Sequence, residues 1–518
     1  MLPFYQNIPF FSILLAMAGG VVTSLLRDSR RAFALSLTIL GLCSAANGLL
    51  SAILFRHNES FVYILGHYPA PWGNELRAGP LEALLVSVFA LVMLLCLLGG
   101  RTDIQADILP RKRPLYYIMM DLLWASLLVM IYTNDIFTSY VFIEINTIAS
   151  CAIVMAKDTG HTNMATIRYI IMSQLGSGLY LLSLSLLYGI TGHLLFPQLK
   201  LAVGALAISG RYALPLTVLT GLMVLGLSIN SALYPFPSWL PGAHGNATTA
   251  SSAILSGLVL KGYILLLIKI IYQVYTLPIA RNTHILSVLF ILAILAMFMG
   301  SWYAMKENHL KRMIAYSSVA QIGYIFLGIG MGTPAGLTAA IFQVIAHAFT
   351  KPLLFLTAGE MIRVSGHRKQ LYYLRGAAHK APLAGVGFTL GSLSMIGLPL
   401  LGGFVTKFML ADAGAELGWP MLLVFAILAV SSVMNALYYL PVILLIWTQT
   451  SEVVDASLPE DEEELPAAVA LGYDSASLAP AMPVSFGVAV PVLMAGVVFL
   501  GIFYTPLATL ITQGLALL

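Results

Sequence analysis

Apolar runs of 18 residues or more recur along this chain from end to end, separated only by short polar or Pro/Gly-rich breaks. Each is long enough to cross a hydrocarbon core of about 30 Å as a helix, and a backbone in that medium must satisfy its own hydrogen bonds. Of the 518 residues, 59% are apolar and 9% charged, against roughly 25% charged in an average soluble protein. An ordinary soluble enzyme is excluded. The pattern predicts an all-α polytopic membrane protein of fourteen spans, at about 8–26, 33–55, 81–100, 115–134, 136–156, 165–189, 213–234, 248–271, 285–305, 309–332, 335–361, 384–411, 419–449 and 484–516. The first run lacks a basic segment before it and a small-residue cleavage site after it, so it reads as a retained helix and not a signal peptide. Cys43, Cys96 and Cys151 are scattered in apolar runs, which argues against both iron–sulfur ligation and a disulfide framework.

Cations in the connections set the orientation. With the loop after the first span inside, the inside connections hold sixteen of the 26 Lys and Arg, and the outside ones only Arg56, Arg77, Lys200, Arg211 and Arg281. Both termini are then expected outside. Residues 450–483 begin with a run of Asp and Glu and continue as Ala/Ser/Pro-rich sequence, read as a solvated acidic loop. The basic connection RVSGHRKQLYYLRG, with its tyrosines, suits an interface with anionic lipid.

Charges inside the spans need explanation, because each costs roughly 2.5–3.5 kcal/mol at mid-bilayer. Five stand out: Glu144 in IFTSYVFIEINTIASCA, Arg168 in MATIRYIIMSQLGSG, Lys261 in SSAILSGLVLKGYILLLIK, Lys351 one turn after His347 in FQVIAHAFTKPLLFLTAG, and Lys407 in IGLPLLGGFVTKFMLAD. They must face one another or water. Arg168 does not release its proton and is expected to be a static partner of Glu144. Lys269, near a span end, is expected to snorkel. Lys261, Lys351 and Lys407, with His347, read as a relay, since a desolvated amine takes and gives a proton.

Two spans carry helix breakers at depth. One holds Pro235, Pro237, Pro241 and Gly242 in INSALYPFPSWLPGAHGNATTA, the other Gly397, Pro399, Gly402 and Gly403 ahead of Lys407. Transporters build ion sites on such breaks. Phosphate-loop, dinucleotide and HExxH signatures are missing from the sequence, so nucleotide hydrolysis and zinc proteolysis lack support. Haem would need facing histidines within spans, and His347 alone is read as deep.

Taken together, YPFPSWLPGAHGNATTASSAILSGLVLKG, HLKRMIAYSSVAQIGYIFLGIG, AHAFTKPLLFLTAG and RVSGHRKQLYYLRG followed by PLAGVGFTLGSLSMIGLPLLGGFVTKFML resemble the antiporter-like membrane subunits shared by respiratory complex I, Mrp-type Na+/H+ antiporters and membrane-bound energy-converting hydrogenases. The resemblance covers roughly residues 80–450 and looks closer to the Mrp D-subunit and hydrogenase branch. It implies two inverted five-helix repeats, each with a broken helix: N-terminal helices over 1–114, repeats over 115–271 and 285–449, the acidic loop 450–483 and a C-terminal helix over 484–518. It also implies that Glu144, Lys261, His347 and Lys407 lie on a central polar axis that carries protons. One position departs from the family. GLSINSALYP puts Asn230 where a lysine is usual, so the first repeat is expected to lack its Glu–Lys couple.

The expected function is an ion-translocating (H+ or Na+/H+) subunit of a multisubunit complex in the inner membrane of a prokaryote. The alternatives are a non-pumping structural subunit and a stand-alone secondary transporter. The chain itself is expected to carry no cofactor and no redox site. Its expected partners are other membrane subunits, lipid and hydrophilic redox subunits with iron–sulfur or NiFe centres, and not nucleic acid.

Overall fold

A computed structural model of the chain describes residues 4–26, 28–68, 73–418, 420–449 and 484–518. The acidic loop expected over 450–483 lies outside the described residues. The chain begins with α1 (Ile8–Leu25) and α2 (Ser29–His57), capped by Asp28, whose carboxylate accepts the Arg30 amide at 2.9 Å. A hairpin follows, β1 (Phe61–Ile64) against β2 (Glu75–Ala78), then α3 (Pro80–Gly99), α4 (Arg101–Asp107), α5 (Arg113–Tyr132), α6 (Ile136–Met155) and α7 (Gly160–Thr191). Next come α8 (Phe196–Ser209), α9 (Ala213–Asn230), α10 (Leu240–Asn246), α11 (Thr249–Ile254), α12 (Leu260–Lys269) and α13 (Thr276–Asn282). The second half holds α14 (Ile285–Lys306), α15 (Leu310–Gly330), α16 (Pro334–Val364), α17 (Ala377–Lys380), α18 (Pro382–Ile396), α19 (Gly402–Ala415) and α20 (Pro420–Trp447). After the acidic segment, α21 (Val484–Ile502) and α22 (Tyr504–Ala516) close the described chain.

Thirteen helical segments among the described residues are long and apolar enough to cross a membrane. The predicted span over 384–411 is instead the pair α18 and α19, each too short alone and separated by a break after Ile396. Two features were not expected from the sequence: the β1–β2 hairpin and the short apolar helix α8. The last span also differs, since it is not one helix over 484–516 but α21 and α22, parted at Phe503. Pro506 explains the parting, because it offers no N–H to the Ile502 carbonyl and its ring crowds that group.

Burial separates a core from a lipid-facing rim. The rod α11–α13, buried throughout its most apolar window, runs through the centre against α16, α5 and α9. A helix apolar on all sides and buried on all sides belongs in such a place. Leu25, Ile208, Leu422 and Leu444 point outward as apolar side chains facing lipid would.

On the hairpin face, Arg77 pairs with Glu82 and reaches the Leu517 carbonyl. Lys269 does not snorkel. It is 3% exposed and donates to the Ile131 and Thr133 carbonyls at 2.7 and 2.6 Å, at the end of α5. The unpaired carbonyls of a helix C-terminus provide inside the protein what the interface would otherwise provide.

The opposite, basic face gathers the cation-rich connections around a cavity of about 390 Å³ lined by Lys157, His161, Glu307, His309, Arg312 and Lys369. Burial, with Lys369, Arg312 and Lys311 nearby, pushes the His309 imidazole down to about 3. Asp103 on α4 is pushed up to about 6 by burial and by Asp107, against the pull of its Thr249 hydrogen bond and Lys311. A carboxyl whose folded value is raised loses stability as pH rises toward and through that value, so its ionised form opposes folding. Asp103→Asn should therefore raise stability at pH 8 by about 2 kcal/mol, after allowance for solvent screening, and by roughly half that at pH 5. Thermal midpoints of both proteins in detergent at the two pH values test this, and an equal shift at both would contradict it.

Candidate functional site

The core where α10–α12 meet α15 and α16 is threaded by polar side chains. Lys261 lies on α12 just past a π-helical turn, Leu255–Val259. A π turn leaves carbonyls off the α-helical ladder, and Lys261 Nζ donates to one of them, that of Ser256. Gly257 in this turn is required by a close approach, since a Cβ there would lie 2.7 Å from Pro352 Cγ on α16. Beside Pro352, Lys351 donates to the Ile314 carbonyl at 2.9 Å and to the Ser317 hydroxyl on α15. The next residue, Ser318, meets the Ser256 hydroxyl at 2.9 Å and ties α15 to the π turn. Lys261 and Lys351 are both fully buried.

From Ser317 the chain continues to the Tyr439 hydroxyl at 2.7 Å, and the Tyr439 ring packs against Tyr438 at 4.7 Å between centroids, tilted by 44°. Tyr438 donates to Asn435 at 2.6 Å, and Asn435 donates to the Met395 carbonyl at 3.2 Å. That carbonyl also accepts from Lys407, at 3.3 Å. Lys407 further reaches the Ile396 carbonyl at 2.5 Å and Ser432 at 2.9 Å, and sits 5.4 Å from the centre of the Tyr324 ring. The expected break explains this geometry. Gly397 ends α18 with a φ of +96° that L side chains rarely adopt, and a Cβ there would meet Lys407 Nζ at 3.0 Å. The ammonium thus folds back over an open helix C-terminus, an attraction worth up to about 2 kcal/mol when partly buried. Added to three hydrogen bonds, it is comparable with the roughly 2.5–3.5 kcal/mol cost of the charge. Among the described residues, no carboxylate lies within 4.0 Å of Lys261, Lys351 or Lys407.

His347 is buried beside these lysines with neither ring nitrogen partnered by protein, and it is not alone. His244 on α10, in the segment beyond the first break, is equally buried, has two unpartnered nitrogens and interacts electrostatically with Lys261 and Lys351. The reading that only His347 is deep is thereby corrected. GAHGN looks like a loop because its glycines and prolines mark a break, and only the fold brings the break back into the core. Four buried imidazole nitrogens of this kind need water.

The first half is different. The expected Glu144–Arg168 pair does not form: Glu144, half-buried on α6, accepts from Gln174 of α7 at 2.7 Å, while Arg168 is exposed. Six residues separate Arg168 from Gln174 along α7, about 9 Å of rise, so the arginine lies at another level. α9 ends at Asn230, which accepts from Ser173 at 3.0 Å, and Ser173 meets Thr147 at 2.8 Å. Neutral groups alone thus surround the end of α9. Beyond the break containing Pro235, α10 and α11 lead into the Lys261 helix.

Several buried acids escape the sequence reading, among them Glu360, which pairs with Arg363. Glu82 belongs to the hairpin-face ion pair, and Asp121 lies mid-helix on α5, 2% exposed. An Asp inside YYIMMDLLWASLL is visible as a charge in an apolar run. Among the described residues, no group of three or more His, Cys, Asp or Glu could hold a metal ion.

Comparison with known proteins accords with this geometry. In fold, the chain is similar to a chain of the Mrp complex from Dietzia sp., with a TM-score of 0.85, 24% identity and coverage of 99% of this chain and 97% of that one. It is similar also to a chain of the membrane-bound sulfane sulfur reductase, an archaeal respiratory membrane complex, with a TM-score of 0.83 and 24% identity over 99% and 97%. In sequence it is 34% identical over 437 residues to NADH-quinone oxidoreductase subunit N of Desulforudis audaxviator, covering 84% of each chain. It is 29% identical to the Na(+)/H(+) antiporter D-subunit of Bacillus subtilis over 68% of this chain and 69% of that one. Both branches of the expected resemblance are represented, with the higher identity on the quinone oxidoreductase side. Residues 133–434, which include both broken helices and all three core lysines, match the family described as NADH:quinone oxidoreductase/Mrp antiporter, TM, and the chain is an antiporter-like membrane subunit belonging to that family.

Proposed function

We propose that this chain moves H+, or exchanges Na+ for H+, as one subunit of a multisubunit membrane complex, with the second half carrying the ion. The observation that carries the reading is the file from Lys351 through Ser317, Tyr439, Tyr438 and Asn435 to Lys407, with Lys261 buried close to Lys351. Ammonium groups sharing a low-dielectric interior without a carboxylate repel one another, so a proton arriving on one favours departure from the next. Serine and tyrosine hydroxyls both donate and accept, and water at His244 and His347 would extend the file toward the basic face. Asn230 in its neutral Ser173–Thr147 cluster supports a silent first half.

Energy must come from neighbours. Exposed Arg168 and the half-buried Glu144–Gln174 pair give the α6–α7 face a polar stripe within its membrane segments, which lipid would cover poorly. That supports an adjoining membrane subunit there. Redox subunits with iron–sulfur or NiFe centres are the further partners of an oxidoreductase-type complex. By the cation bias, the basic face is cytoplasmic in a prokaryotic inner membrane, and the hairpin face, with both ends of the described chain, is outside.

In inverted membranes holding the intact complex, Lys407→Ala should reduce ion movement to background while Asn230→Ala leaves it unchanged, with assembly of both checked on native gels. A pH-sensitive dye, with energy supplied by the complex's own driving reaction, gives the readout. Full activity in Lys407→Ala would favour a structural subunit. Ion movement by the purified chain alone in liposomes would favour a stand-alone transporter.

A further inference from the structure

The N-terminal helices hold a buried charge that the lysine file does not use. Asp121 lies more than two turns into α5, 2% exposed, where α1 and α2 pack against it. Thr23 of α1 donates its hydroxyl to Asp121 Oδ2 at 3.1 Å. Ser36 of α2, fully buried, faces the same carboxyl, and its Oγ has no other protein partner.

Among the described residues, nothing cationic pairs with this carboxyl. α1 carries no ionisable side chain. Those of α2 are Arg30 and Arg31 at one end, Arg56 and His57 at the other, and the thiol of Cys43 between them. On α5 itself Arg113, Tyr116 and Tyr117 lie nearer the basic face. The neighbours of α5 add Glu82 and Cys96 on α3, Glu144 and Cys151 on α6, and Lys261, Tyr263 and Lys269 on α12, each already placed elsewhere or apart from Asp121. No basic nitrogen among the described residues comes within 4.0 Å of Asp121. A carboxyl at this depth either keeps its proton or holds a cation in its place.

The oxygens available choose the cation. One carboxylate and two hydroxyls form a hard-oxygen set, unlike the thiolate and imidazole sets of transition metals. A single negative charge neutralises a monovalent ion and would leave a divalent one with net charge in an apolar surrounding. Above Asp121, a polar file continues toward the hairpin face. The Trp124 ring nitrogen is buried without a partner, Tyr132 donates to Asn47 at 2.6 Å, and Asn47 donates to Ser12 at 3.0 Å.

We propose that Asp121, Thr23 and Ser36 form a second ion site, outside the lysine file, that exchanges a proton for a small monovalent cation of sodium's kind. The exchange balances as a carboxylic acid plus a cation giving a carboxylate–cation pair plus a released proton. Thr23 and Ser36 turn their oxygen lone pairs to the cation in one state, and hydrogen-bond the carboxyl in the other.

Dicyclohexylcarbodiimide, which modifies protonated carboxyls in apolar surroundings, tests this on the intact complex in native membranes. Modification of Asp121 is read by mass spectrometry in choline chloride and in sodium chloride of equal ionic strength, at several pH values. Asp121 should be labelled in choline, less so as pH rises, and sodium should abolish the labelling. The double variant Thr23→Val, Ser36→Ala should still be labelled but lose the protection by sodium. Lys407→Ala should keep that protection, which separates this site from the lysine file. Equal labelling in sodium and choline, or none in choline at any pH, would overturn the proposal.

Discussion

Every lysine buried in this protein is held by oxygen dipoles, and the architecture is arranged to supply them. Lys407 takes the terminal carbonyls of α18, Lys269 those of α5, Lys261 a carbonyl on a π turn, and Lys351 a carbonyl and a hydroxyl of α15. Carbonyls inside an intact α-helix already accept an amide, so Lys407, Lys269 and Lys261 take theirs from a break, a helix end and a π turn, while Lys351 shares the Ile314 carbonyl and adds a hydroxyl. A carboxylate partner would fix the charge on each lysine. Dipoles favour the ammonium less strongly than a carboxylate would, and that latitude is what a proton carrier needs. Carboxylates pair with cations at the rims instead, as in Lys157–Asp107 at 3.1 Å and Arg363–Glu360 at 2.6 Å.

The same principle accounts for the unequal halves. On the Lys407 side, a broken helix and a lysine meet, and the side chains between Lys351 and Lys407 both donate and accept. On the Glu144 side, the break is present but Asn230 stands at its mouth, held by Ser173, and Glu144 turns to Gln174 on a half-exposed face. Arg168 contributes no ion pair there.

Much of this is legible in the sequence, for identifiable reasons. Span count follows from hydrophobic length, and the two breaks from Pro and Gly; the Lys407 site follows because a lysine after IGLPLLGG has few other uses. What is not legible depends on three-dimensional return. His244 sits in a segment that reads as loop, and only the fold brings it beside Lys261. The partner of Glu144 turns on helix register across α6 and α7, which a linear sequence does not contain. Lys269 looks like an interfacial residue because its distance from the span end is visible and the end of α5 beside it is not. The kink at Phe503 and the charge of Asp121 do leave a trace, in Pro506 and in the aspartate itself, but a single residue in a long apolar run is a weaker signal than the clustered breakers elsewhere.

In this account the hydroxyl file between Lys351 and Lys407 carries the ion. Tyr439→Phe removes one hydroxyl from it, the one that meets Ser317 at 2.7 Å, and leaves the packed ring in place. Time-resolved acidification of proteoliposomes holding the intact complex, at matched driving-reaction rates, should show ion movement lost in this variant although assembly and the driving reaction persist. Wild-type ion movement in Tyr439→Phe would contradict the account.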